Sequence, residues 1–120
     1  MILADTNAWV AHLKRRDARL VKFLLEQRVR TCDVVLGELR LGSGLPRDFA
    51  KDLAALPRIP SPNAEETRSF IERHARSFAG SGVGWADTQI ILAAAKAGAR
   101  LHTADRSVKR VCGALGVALA

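Results

Sequence analysis

Strand-like and helix-like patterns alternate from one end of this 120-residue chain to the other, and no other feature narrows the choice of fold so far. Each short apolar run is followed by a segment with helical spacing. Such repeats close into a mainly parallel sheet, because parallel neighbours need a crossover long enough to hold a helix. The expected class is therefore a single α/β domain with a central, mainly parallel β-sheet flanked by α-helices. A strand is expected at 2–5, a helix at 6–13 with Trp9 and Leu13 on one face, and a second helix at 17–27 capped by Asp17. In that second helix Leu20 pairs with Leu24 and Val21 with Leu25. Val29-Arg30-Thr31 reads as a short strand, and the next helix carries Glu38 and stops at Gly42-Ser43-Gly44.

The second half continues the pattern. Pro46 opens a helix with Phe49, Leu53 and Leu56 on one side, and Pro57-Arg58-Ile59-Pro60 is a candidate edge strand, since proline gives no ladder donor. Asn63 and Glu66 form a capping-box pattern for a helix reaching Phe78. Along it His74 falls between Phe70 and Phe78 on one face, a core position, and Glu72 and Arg76 can pair at i,i+4. A glycine-rich loop at 80–84 precedes a helix that carries Asp87 and ends at Gly98. A strand at 100–103, a helix at 107–115 and a final strand at 117–119 follow.

A hydrophobic content of 48% supplies a packed core and argues against intrinsic disorder. The net charge of +7 implies an anionic partner, for which nucleic acid and a membrane surface are the usual candidates. The membrane is disfavoured, because no segment approaches the roughly 20 apolar residues needed to span a bilayer. Asp5 interrupts the first apolar stretch at once, so no signal peptide is expected there. Cys32 and Cys112 are distant from each other and outside any CxxC pair, which reads as two free thiols in a reducing cytoplasm.

Four acids stand at informative places in this pattern. Asp5 and Asp105 each follow a strand, at the carboxyl ends where parallel sheets open their ligand crevice. Glu38 and Asp87 lie inside apolar helical runs, where a charge is costly. Asp87 shares a helical face with Ile91 and Ala94, which turns it toward the core. Each has a plainer reading: Asp5 and Asp105 serve equally well as helix caps, and Glu38, next to Arg40, also suits a solvated position. Taken as a set, however, buried carboxylates repel unless a divalent metal neutralises them. That combination points to a metal-dependent nuclease.

The blocks Met1-Ile2-Leu3-Ala4-Asp5-Thr6-Asn7 with Trp9, Gly37-Glu38-Leu39, Gly82-Val83-Gly84-Trp85-Ala86-Asp87 and Leu101-His102-Thr103-Ala104-Asp105-Arg106 together resemble the PIN-domain family. Within it the chain looks most like VapC-type toxins of bacterial toxin–antitoxin systems. The resemblance spans residues 1–120 and implies a Mg²⁺ or Mn²⁺ site built from Asp5, Glu38, Asp87 and Asp105, with Thr6, Asn7 and Thr103 supporting the acids by hydrogen bonding. It also implies endoribonuclease activity, a homodimer, and a VapB-like antitoxin that covers the active-site groove. Oxygen ligands suit these hard cations, and water bound to one is easier to deprotonate for in-line attack on phosphorus. The expected products are a 5′-phosphate and a 3′-hydroxyl. Asp5 and Asp87 are the preferred direct ligands, with Glu38 and Asp105 orienting water or holding a second metal.

The basic residues and tryptophans divide between contact and scaffold. Arg106, Lys109 and Arg110 follow Asp105 and project opposite Val108 and Val111, where phosphate contacts would explain them. The group near Arg73 reads as a solvated face. Trp85 is a candidate for base stacking and Trp9 for core packing. Other chemistries fit poorly. A dehalogenase-type phosphatase needs Asp-x-Asp, but position 7 is Asn7, and a receiver domain needs an early acid pair and a late lysine, both missing. A PIN-like nuclease with another RNA or DNA target remains as an alternative, as does a non-catalytic RNA-binding module.

Overall fold

A computed structural model describes residues 1–42 and 44–120; Ser43 of the expected Gly42-Ser43-Gly44 stop lies outside the described residues. Three strands, β1 (Ile2–Ala4), β2 (Val29–Arg30) and β3 (Arg100–His102), form a parallel sheet in the order β2-β1-β3. Ile2 aligns with Val29 on one side of β1 and with Arg100 on the other. The central strand is sealed, with Ile2, Leu3 and Ala4 all at 0% exposure. Among the described residues eight helices surround it: α1 (Thr6–Lys14), α2 (Ala18–Leu25), α3 (Asp33–Leu41), α4 (Arg47–Ala54), α5 (Ala64–Arg73), α6 (Ala75–Phe78), α7 (Trp85–Ala97) and α8 (Arg106–Leu115). Strand order reverses at β1, so the crevice beyond the ends of β1 and β3 is the switch point where α/β sheets bind ligands.

The expected outer strands are reduced to single bridges, Thr31 to Arg58 and Leu101 to Leu119, both parallel. Pro57 and Pro60 flank the first and have no amide to donate, which stops the ladder there. Helix starts follow the capping residues: Asp5, Asp17, Asn63 and Asp105 each accept backbone amides at the head of α1, α2, α5 and α8, and Asn63 with Glu66 completes a capping box. The expected stop at Gly98 is a left-handed residue with φ 66°.

The single helix expected up to Phe78 is instead two, broken at His74 (φ −123°, ψ 30°). In one continuous helix Phe70 and Phe78 would lie roughly 12 Å apart along the axis. The break brings their ring centroids to 5.7 Å, with His74 at 5.1 Å from Phe70. Glu72 and Arg76 consequently fall on different helices and form no ion pair among the described residues. Two apolar faces also differ from expectation. Leu13 is 41% exposed while Trp9 packs edge-on against Phe49, and in α2 Leu25 is 80% exposed because Phe23 takes the buried place beside Leu20. Both cysteines are free and buried.

Helix α7 carries the largest share of the core: Ile90, Ile91, Leu92, Ala93 and Ala94 are all buried. Ile91→Ala should cost about 2–5 kcal/mol, because the rigid surroundings cannot close over the lost volume. Urea denaturation would measure it; a loss under 1 kcal/mol would show that α7 is not the packing centre.

Candidate metal centre

Asp5 stands where β1 ends, fixed by its own amide, which donates to the His102 carbonyl of β3 at 3.0 Å. Its carboxylate is 1% exposed. Oδ1 caps α1 by accepting the Ala8 amide at 2.8 Å, while Oδ2 is buried with no hydrogen-bond partner. Burial raises the Asp5 pKa from the ordinary 3.8 to about 6. The nearby Thr103 hydroxyl and the Ala8 amide restrain the rise, and the charges of Asp87 and Asp105 add to it. An unpaired buried acceptor of this kind is costly unless something else satisfies it.

The other acids arrive on different elements. Asp87 sits in the first turn of α7, half-buried; burial and the charges of Glu38 and Asp105 push its pKa up. Glu38, on α3, accepts the Thr6 hydroxyl at 2.6 Å. Asp105 divides its oxygens: Oδ1 caps α8 through the Ser107 and Val108 amides, and Oδ2 accepts the Asn7 side-chain amide at 3.2 Å. Thr103 Oγ1 accepts the Asp105 amide at 3.0 Å. Thr6, Asn7 and Thr103 are thus each hydrogen-bonded to one of the four acids.

Asp5 senses the charges of Asp87 and Asp105, and Asp87 those of Glu38 and Asp105, yet none of the four takes part in an ion pair among the described residues. Nor do three His, Cys, Asp or Glu side chains among those residues close around a single point. Mg²⁺ and Mn²⁺ keep several waters of their own, so an ion of that kind needs few direct protein ligands. The unpaired Asp5 Oδ2 is the donor such an ion would complete.

Of the exposed candidates, Arg106, Lys109 and Arg110 all face solvent on α8. Trp85, 45% exposed, opens α7 only two residues before Asp87, so the helix turns it to a different side from that acid. The sequence reading overlooked one pair. The His102 Nε2 lies 2.8 Å from Asp17 Oδ2 and joins β3 to the cap of α2. Only the spacing of a strand-end histidine and a helix-cap aspartate, 85 residues apart, hinted at it. Burial raises the Asp17 pKa, but the bonds from His102 and from the Leu20 and Arg19 amides outweigh this and hold it below the ordinary value.

Both shifts in the acid cluster are upward, so folding there favours protonated carboxyls. Stability from this source is fully present below pH 3.8 and is lost as the pH rises through about 6. Asp17 contributes in the opposite sense but is common to wild type and mutant. Metal-free Asp5→Asn should therefore gain on wild type by roughly 3 kcal/mol between pH 4 and 7. Urea midpoints across that range test it, and a constant difference would show that folding does not raise the Asp5 pKa.

A family model described as PIN domain matches residues 2–114. Ribonuclease VapC32 of Mycobacterium tuberculosis (strain ATCC 25618 / H37Rv) is 39% identical over all of this chain and 97% of that protein. Among solved structures, FitAcB from Neisseria gonorrhoeae aligns with TM-score 0.59 and 23% identity over 99% of this chain and 96% of that one. FitAB bound to an IR36 DNA fragment aligns with TM-score 0.68 and 22% identity over 100% and 94%. At that identity the two structures speak for the fold. The family model and the full-length relative show the family, and the chain belongs to the PIN-domain family.

Proposed function

We propose that this PIN domain is a Mg²⁺- or Mn²⁺-dependent endoribonuclease acting as a VapC-type toxin. The observation that carries the reading is Asp5 Oδ2, a sealed carboxylate oxygen without a partner, near further acids that form no ion pair with lysine or arginine among the described residues. RNA as substrate rests on the full-length relative named a ribonuclease. Asp5 and Asp87 are the direct ligands, with Glu38 and Asp105 orienting water or holding a second ion. When bound, the cation activates water and offsets charge on the phosphate. Thr6 holds the Glu38 carboxylate, Asn7 holds that of Asp105, and Thr103 fixes the backbone from which Asp105 projects. Arg106, Lys109 and Arg110 supply phosphate contacts beside the acids, and Trp85 offers an exposed ring to RNA. The products are a 5′-phosphate and a 3′-hydroxyl.

The VapC likeness extends the proposal to a homodimer, a VapB-like antitoxin over the acidic groove, and a cytoplasmic location. Among the described residues no helix is long and apolar enough to cross a membrane.

Asp5→Asn and Asp87→Asn should each abolish Mn²⁺-dependent cleavage of single-stranded RNA while the fold survives, because Asn caps a helix nearly as well as Asp. Wild type should gain about 2.7 kcal/mol when free metal exceeds its Kd a hundredfold, and the variants should lose most of that gain. Full activity in both variants would end the metal-site reading. Expression of the wild type alone should arrest growth, and co-expression of the small neighbouring protein should relieve it. Undisturbed growth with folded, uncomplexed protein would remove the toxin role.

A further inference from the structure

A second polar cleft shares a wall with the acid cluster. It has a volume of about 420 Å³ and is lined on one side by Ala8, Thr103 and Ala104, on others by Arg19 of α2 and Lys109 of α8. The shared wall is intimate: Ala8 donates to Asp5, and Thr103 accepts from Asp105. The His102–Asp17 pair also lines the cleft. Asp17 has both oxygens engaged, Oδ2 with His102 and Oδ1 with the Arg19 and Leu20 amides. Arg19 and Lys109, by contrast, form no ion pair among the described residues. Both side chains are exposed.

Arg19 is also held in place. Its guanidinium lies over the Phe23 ring, 5.6 Å from the centroid, and Phe23 in turn meets the His102 ring edge-on at 5.6 Å. A cation–π contact uses the guanidinium's charge against the ring and leaves its N–H donors for other partners, so Arg19, which lines the cleft, can present them there. A planar fork and an ammonium facing one polar space make a site for a phosphate.

We propose that this cleft binds a phosphodiester of the RNA strand flanking the bond that is cut, with Arg19 and Lys109 as its contacts and the His102–Asp17 pair and Phe23 as the frame that positions Arg19. The inference rests on the ribonuclease reading and adds a direction to it: the strand leaves the acids past Thr103 toward α2. It also divides the basic residues of α8, for Lys109 lines the cleft whereas Arg106 and Arg110 do not.

The experiment uses Arg19→Gln, Lys109→Gln and their double variant, with Arg73→Gln/Arg76→Gln, neither of which lines the cleft, as a control for net charge. Glutamine keeps part of the stem that packs on Phe23. Thermal unfolding and circular dichroism establish that each variant folds. Binding of a labelled single-stranded RNA is followed against salt in EDTA, so that no cleavage intervenes, and steady-state cleavage is followed separately in Mn²⁺. Each cleft substitution should flatten the log–log salt slope by about 0.7, and the pair by about 1.4. In cleavage the double variant should raise KM with kcat little changed, as expected when binding common to ground and transition states is lost. Arg19→Lys should recover most of the binding. An unaltered slope in the double variant, or an equal loss in the control, overturns the proposal. So does stabilisation of wild type alone by inorganic phosphate with no change in the RNA slope, which makes the cleft a free-anion site. Absence of Mn²⁺-dependent cleavage by wild type would instead overturn the ribonuclease reading, while the slopes in EDTA still report on the cleft.

Discussion

The carboxylate of Asp5 lies at the end of the central strand, where the chain must leave the sheet and begin a helix. One oxygen starts α1; the other faces the crevice without a partner. Burying that oxygen opposes folding, and the surrounding core offsets the cost: Ile2, Leu3 and Ala4 on the strand itself, and the nearly continuous buried surface of α7. A protein with a smaller core would push the charge back to the surface. Here burial, with a smaller contribution from neighbouring acids, raises the pKa of Asp5 and of Asp87, and a divalent cation relieves that electrostatic condition.

The parallel α/β class was legible because alternating patterns leave few topologies, and Asp17, Asn63 with Glu66, and Gly98 marked helix ends through local chemistry. What the sequence did not disclose was decided by distant partners. Nothing local distinguishes Leu13 from Trp9 as the buried residue on α1; Phe49, forty residues on, decides it. The break at His74 is likewise invisible to helical periodicity, since it exists to let Phe78 reach Phe70. The outer strands were legible as extended segments but not as mere single bridges.

For the candidate centre, the four acids were visible through their place after strands or within apolar runs. Their hydrogen bonds to Thr6, Asn7 and Thr103 were expected only from a likeness to known proteins. The His102–Asp17 pair was missed because it joins residues 85 positions apart, whereas the Arg19–Phe23 contact is local, at i,i+4 on α2, and the sequence reading passed over it. A charge count of +7 also says nothing about which cations face the same space. Cys112, read from the sequence as a plain free thiol, is buried, and burial with the neighbouring Asp5 charge pushes its thiol up to about 11, which disfavours the thiolate.

Asp5 and Asp105 stand a hundred positions apart, yet both hang from backbone around β3, one through the His102 carbonyl and the other through Thr103. Protein synthesis runs from the amino end, so a nascent chain carries Asp5 long before the strand that anchors it exists. Until residues 100–105 have left the ribosome, β1 lacks its β3 neighbour and the cluster has only three of its acids. The geometry thereby makes the cluster depend on residues 100–105 having been synthesised, and products truncated before them carry an incomplete set of acids.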